Sequence, residues 1–223
     1  MNINVAVFLC ETLVIFSSLV LVYKVFKKDG LIMWMAIAPI LANLAVCKVI
    51  EICGLETTTG QVLFASIFLC GNILAEKYGK EVSEKAVNLG IISNIIFIIA
   101  CRFVLMYIPS DIDTMHSVLT SVFNFDFRVT LSSIFCLFLS NILNVVVYCK
   151  IKEKTKGRLL WLRTNVASIL GNCGENFIFT FLAFAGILSL SDIIMIALLG
   201  CVFECILANL STPFIYIAKN IKE

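Results

Sequence analysis

Charge is scarce in this sequence. Only 14% of its 223 residues are Asp, Glu, Lys or Arg, about half the share that a soluble globular surface carries. Proline occurs 3 times and histidine once, at His116. One histidine and no C-x-x-C spacing leave no zinc site. A net charge of +2 leaves no basic face for nucleic acid. No H-E-x-x-H, G-x-S-x-G or paired Asp motif is present, so neither an enzyme nor a cofactor is implied. The 10 cysteines suggest a disulfide framework until they are placed. Cys10, Cys47, Cys70, Cys101, Cys136, Cys149, Cys173, Cys201 and Cys205 lie in or at the ends of apolar runs, where cysteine behaves as a small hydrophobe. What abounds is apolar surface: 61% of residues are hydrophobic and the mean hydropathy is +1.03. A soluble fold of this size could not hide that much, so lipid must solvate it, and the fold class is an all-α polytopic membrane protein.

Seven apolar stretches are read at 5–26, 31–52, 61–78, 87–108, 129–149, 160–187 and 193–218. A span needs about 20 residues at 1.5 Å rise to cross a core of roughly 30 Å. Six meet that length and the third is short. The first has no basic residue before it and no small-residue cleavage pattern after it, so it reads as a retained helix. The expected organisation is one transmembrane domain over 1–223, with an extra N-terminal helix at 5–26 and three-helix units at 31–108 and 129–218.

Basic residues alternate between connections. Lys24, Lys27 and Lys28 follow the first stretch, and Lys77, Lys80 and Lys85 the third. Lys150, Lys152, Lys154, Lys156, Arg158 and Arg163 follow the fifth, and Lys219 and Lys222 the last. These fourteen face three on the other side, Lys48, Arg102 and Arg128, where the connections carry Glu56, Asp111, Asp113, Asp126 and Asp192. The split predicts a cell-membrane protein with its N-terminus outside and its C-terminus in the cytoplasm. The one long connection, 109–128, mixes polar residues with Val118, Leu119, Val122, Phe123 and Phe125. It reads either as a short interfacial helix over the external mouth or as a plain linking loop.

Ionisable and amide side chains at membrane depth cost several kcal/mol unless they are paired or face a cavity, so they are the functional candidates. They concentrate in Gly71-Asn72-Ile73-Leu74-Ala75-Glu76 and in Gly171-Asn172-Cys173-Gly174-Glu175-Asn176. Asn72 and Glu76 share one helix face, as do Asn172 and Asn176, with Glu175 three residues after Asn172. Gly-Asn followed by Glu thus recurs in two halves of the chain, the pattern of inverted repeats around a midplane site. Helix packing is the competing explanation, since Gly lets helices approach and Asn bridges them. It is favoured for Asn43, Asn94, Asn141 and Asn144, although Asn43 and Asn144 remain site candidates. It is not favoured for Glu76 and Glu175, and four of these groups, Asn72, Glu76, Asn172 and Glu175, are expected to share one cavity. Arg163 either snorkels to the interface or pairs with a site carboxylate. Glu11 and Glu204 read as isolated. Phe64, Phe68, Phe177, Phe179, Phe181 and Phe184 flank the polar pairs at helical spacing; most of the 18 Phe face lipid or core, but one or two beside a cavity could stack on a flat ligand, and Phe68 and Phe179 are the candidates.

At these residues the chain resembles a known family. The stretch 61–79, with Phe64, Asn72-Ile73-Leu74-Ala75-Glu76-Lys77-Tyr78-Gly79 and the following Ala86, is similar to one family signature. Leu160-Trp161-Leu162-Arg163-Thr164-Asn165-Val166-Ala167-Ser168, continuing to Asn172, Glu175 and Phe179, is similar to the second. Both belong to the queuosine precursor transporters, the YhhQ-like or vitamin uptake transporter family, and the resemblance covers about residues 36–219. Asn72, Asn144 and Glu175 stand where many members have Asp. The resemblance implies import of a 7-deazaguanine (preQ0, preQ1 or queuine) for tRNA modification. A carboxylate accepts the two adjacent N–H donors of such a base, and Arg163 or an amide donates to its carbonyl. The site candidates are therefore Asn72, Glu76, Arg163, Ser168, Asn172, Glu175, Asn176, Asn43, Asn144, Phe68 and Phe179.

The implied partners are a small purine-like molecule and the lipid bilayer, with no nucleic acid. A homo-oligomer stays open. So does the runner-up function, the substrate-binding subunit of an energy-coupling-factor vitamin importer with an ATPase module, for which Ala38-x-x-x-Ala42 offers a docking step.

Overall fold

A computed structural model describes residues 3–123, 127–187 and 189–222 of the chain. Phe125 and Asp126, read above as part of the long connection, and the side chain of Arg128 lie outside the described residues. Helices dominate: α1 (Ile3–Ala45), α2 (Gln61–Lys77), α3 (Lys80–Met106), α4 (His116–Phe123), α5 (Phe127–Lys154), α6 (Leu160–Phe184) and α7 (Leu190–Asn220). Strands β1 (Val49–Ile52) and β2 (Leu55–Thr58) form a small antiparallel hairpin between α1 and α2. The helices α1, α3, α5, α6 and α7 are long and apolar enough to cross a membrane, and the chain is an all-α, multi-pass membrane protein.

The first apolar stretch, and the second as far as Ala45, fall within α1, whose 43 residues are interrupted at Lys27 (φ 52°, ψ −133°). The charged run Lys27-Lys28-Asp29 and Gly30 mark the break. The two arms turn back on each other: the Asn4 amide near the start of the first donates to the Glu51 carbonyl just beyond the end of the second, at 2.8 Å. The first arm packs on α7 through the edge-to-face pairs Phe8 with Phe203 and Phe16 with Phe214. The second packs on α2 and α3, with Trp34 Nε1 donating to Ser66 Oγ and the Asn43 amide to Asn94 Oδ1.

Two boundaries differ from the sequence reading. The second stretch was expected to stay helical to residue 52, but its helix stops at Ala45, and Lys48 sits in the turn that leads to the hairpin. The cause is local: β-branched Val49, Ile50 and Ile52 favour extended backbone. Cys53 and Gly54 supply the two positive φ angles, 54° and 81°, that a two-residue hairpin turn requires. Helix α3 starts at Lys80, seven residues before the apolar run at 87, directly after Gly79 at φ 87°, and its polar first turns carry a Lys80–Glu84 i,i+4 ion pair. The long connection does contain a helix, α4, and the N–H groups of Met115, just before it, and of His116, its first residue, donate to the Asp113 carboxylate. It leans on α3 through the Phe97 and Phe123 rings.

The second arm of α1 approaches α3 closely at Gly90, where an added Cβ would lie 2.5 Å from the Met35 carbonyl oxygen. Backbone, not a flexible side chain, would have to move. Gly90→Ala is therefore expected to lower thermal stability: overpacking of about 1–3 kcal/mol outweighs a helix-propensity gain of about 1 kcal/mol. A melting temperature equal to or above wild type in detergent would contradict this packing.

Candidate functional site

The polar residues singled out in the sequence sort into three levels along the bundle. Helices α2 and α6 run antiparallel: Gln61 and Phe64 at the start of α2 share a cavity with Phe179 near the end of α6, while Glu76 at the end of α2 pairs with Arg163 at the start of α6.

The middle level is a buried amide chain. Asn144 on α5 donates to Asn72 Oδ1 at 3.0 Å, and Asn72 donates to Ser168 Oγ on α6 at 3.0 Å. Gly71 and Gly171 sit where these helices cross. A Cβ at Gly171 would touch the Phe68 ring at 3.0 Å and the Asn144 Cβ at 3.2 Å. Bridging by Asn43 and Asn144 is the packing role favoured for them in the sequence, and Asn141 bonds the Leu137 carbonyl of its own helix. Asn172 is buried next to this level, and its Oδ1 has no partner among the described residues.

Toward the C-terminal end of α2, Glu76 joins four helices. Its Oε1 meets Arg163 Nη2 at 2.7 Å and Lys219 Nζ at 3.2 Å, and its Oε2 meets Lys152 Nζ at 3.2 Å and accepts from the Tyr148 hydroxyl at 3.1 Å. Arg163 is 0% exposed, lies over the Tyr148 ring, and donates to the Gly157 and Arg158 carbonyls. Of the two readings of Arg163, pairing holds and snorkelling does not. Lys152 also donates to the Ala75 and Glu76 carbonyls, occupying acceptors that a helix end leaves open.

Toward the hairpin end lies a cavity of about 260 Å³, just below the roughly 300–1,000 Å³ usual for ligand pockets. Glu175, Asn176 and Phe179 of α6, Glu204 of α7, Asn43 of α1, and Gln61 and Phe64 of α2 line it, and Val46, Thr58, Ile98 and Ser133 complete its wall. Ser140 Oγ donates to Glu175 Oε2 at 2.9 Å. A carboxylate has about four lone-pair positions, so Glu175 keeps acceptor capacity for a ligand. Among the described residues, no Lys, Arg or His lines it.

The cavity therefore unites Asn43, Glu175, Asn176 and Phe179 but none of Asn72, Glu76, Asn144, Arg163, Ser168, Asn172 or Phe68. The expectation of one cavity shared by Asn72, Glu76, Asn172 and Glu175 is corrected by the antiparallel run of α2 and α6. With Asn72 and Ser168 level, Glu76 lies four residues one way and Glu175 seven the other, about 16 Å apart along the bundle at 1.5 Å per residue. Glu204, read as isolated, lines the cavity. Only its position gave a signal: a carboxylate deep in the last apolar run, one turn after Gly200. Phe64 was among the aromatics that flank the polar pairs but not among the site candidates, and Gln61 was missed because it opens a helix and looks like capping.

Gly200 has a specific task. A Cβ there would lie 2.6 Å from Asn176 Oδ1, so only glycine lets this amide lie between α6 and α7 beside the cavity. Gly200→Val is expected to displace Asn176 and weaken ligand binding, read as a higher Kd in calorimetry; unchanged affinity would remove Asn176 from the site.

Residues 58–218 match the family described as "Putative vitamin uptake transporter". The chain belongs to this family. A protein of Bacillus subtilis (strain 168) named "Probable queuosine precursor transporter" is 34% identical over 206 residues, covering 92% of this chain and 90% of its own. No solved structure matches the chain. Membership of the vitamin uptake transporter family gives the polytopic bundle a transport role with a small-molecule substrate and the bilayer as its solvent. The matched region begins at Thr58, and so takes in α2 to α7 with both Gly-Asn segments.

Proposed function

We propose that this chain imports a queuosine precursor, a 7-deazaguanine base, through the cavity at the hairpin end. The observation that carries the reading is the Glu175 carboxylate, held by Ser140 at the side of a base-sized cavity with Phe64 and Phe179 in its wall. A guanine-type edge presents adjacent N–H donors to one carboxylate, and aromatic faces take the flat ring. The B. subtilis relative's name supports the same substrate class.

The orientation proposed is N-terminus outside, with the hairpin and α4 on the outer face and the Glu76 cluster toward the cytoplasm. It rests on the fourteen to three division of basic residues. The cavity then faces outward and the Glu76 cluster closes the inner end, so release inward requires that cluster to part. The two three-helix units, the second arm of α1 with α2 and α3, and α5 with α6 and α7, are proposed as inverted repeats. Their matching Gly-Asn segments meet at the α2 and α6 crossing, with the Glu of each on opposite sides of it, as an in-plane two-fold axis requires. Asn72, Asn144, Asn172, Ser168 and Phe68 form the level a substrate would pass, and Glu76 and Arg163 act at the inner gate.

Uptake of a labelled precursor base by cells whose only importer is this chain tests the proposal. Accumulation above the empty-vector level is expected. Uptake that appears only with a co-expressed ATPase module would move the chain to the subunit reading. For that reading Ala38 and Ala42 offer little, since both are buried within the chain itself.

A further inference from the structure

Three amides stand in the cavity wall, at Asn43, Gln61 and Asn176, and two of them are committed to the protein. Asn43 donates to Asn94, while Asn176 donates to the Asn172 carbonyl and has its oxygen against Gly200. Gln61 is half-buried and its side chain makes no hydrogen bond among the described residues, so both ends of its amide remain for a ligand. Its place is set by the backbone. Gly60, where a Cβ would lie 2.8 Å from the Ala42 carbonyl oxygen, seats the start of α2 tightly on α1. With Asn72 and Ser168 level, Gln61 lies eleven residues out along α2 and Glu175 seven along α6, about 6 Å apart along the bundle at 1.5 Å per residue. By the same count Phe64 stands near the level of Glu175 and Phe179 near that of Gln61. The wall thus offers a hydrogen-bonding group and an aromatic ring at each of two depths.

We infer that Gln61 is a specificity-determining residue that reads the N3 and N9–H edge of the base, so that the cavity takes the free base and rejects one substituted on N9. This deepens the reading above and rests on it. A 7-deazaguanine has carbon where guanine has N7, so its five-membered ring holds one nitrogen, N9, which carries a hydrogen in the free base. Beside it N3 is a bare acceptor. A glutamine side chain presents the complement, a carbonyl next to an N–H, and pairs bidentately with such an edge as Asn and Gln do with adenine elsewhere. Glu175 then accepts from N1–H and the exocyclic amine while Gln61 takes the second edge of the same ring. A substituent on N9, such as the ribose of a nucleoside, removes the donor and leaves the Gln61 carbonyl facing carbon.

The test is calorimetry on the purified full chain with two probes, 7-cyano-7-deazaguanine and its 9-methyl derivative, which differ only in the N9 donor. Wild type is expected to bind the free base at least about tenfold more tightly, because the methyl compound leaves a polar group unpaired. Gln61→Ala should weaken the free base by about tenfold and bring the two probes within about twofold of each other, since the amide is gone and the methyl group has room. Gln61→Met, of similar length but without the amide, should lose the preference as well, and so separates lost hydrogen bonds from lost volume. Equal wild-type affinities overturn the role of Gln61 while leaving the precursor reading intact. So does a preference that survives in either variant, which would give the N9 edge to another group of the wall. Failure of both probes to bind wild type overturns the role of Gln61 together with the precursor reading.

Discussion

Glu76→Gln is expected to destabilise the folded chain by about 3–5 kcal/mol, the cost of stranding a buried charge. The substitution removes the only carboxylate paired with Arg163 among the described residues, and Arg163 is wholly buried. Its two carbonyl acceptors, at Gly157 and Arg158, remain but carry no full charge. Lys219 makes the same kind of contact at 3.2 Å, yet its side chain is 42% exposed. Lys219→Ala should therefore cost no more than about 1 kcal/mol, since water and salt screen it. The contrast between the two variants isolates burial as the cause. Thermal unfolding in detergent, followed with a thiol-reactive dye that reports the free, buried Cys70 and Cys136, is the measurement. Adding Arg163→Met to Glu76→Gln should recover part of the loss, because an apolar side chain of similar length has no charge to strand. A Glu76→Gln melting point within a degree or two of wild type would mean that the four-helix ion cluster contributes little.

Glu175→Gln should fold and insert as wild type does, yet lose precursor uptake. Ser140 can donate to an amide oxygen as well as to a carboxylate, so the hydrogen bond at 2.9 Å has a replacement. The ligand has none: the amide presents one acceptor and one donor where the carboxylate presents two acceptors, and adjacent N–H groups of the base then meet a donor. An unpaired buried polar group costs about 1–3 kcal/mol, which is roughly tenfold to a hundredfold in affinity. Calorimetry and uptake should fall together while the melting temperature holds. Affinity undiminished in Glu175→Gln would show this carboxylate to be structural and would shift the acceptor role to Glu204, the other acid of the cavity.

The membrane bundle was legible in the sequence because lipid imposes a pattern that needs no partner to be read. Twenty apolar residues in a row, closed by lysines, mark a span whatever it packs against. The ends of α2, α5, α6 and α7 fall near the expected positions for this reason. The hairpin was hidden inside an apolar run, since Val49 to Ile52 satisfies a helix count and a strand preference equally, and only the Cys53-Gly54 turn distinguishes them. The functional polar residues were legible by type, because an Asn or Glu in an apolar run is an anomaly wherever it points. Their grouping was not. Asn72 and Glu76 share a helix face, but which helix that face meets, and at what height, depends on α5 and α6 crossing at Gly71 and Gly171. Spacing along one helix specifies direction around its axis and says nothing of depth relative to another chain segment running the opposite way. Tertiary structure alone therefore decided that Glu76 holds Arg163 and two lysines at one end, while Glu175 meets Glu204, 29 residues away in sequence, around a cavity at the other.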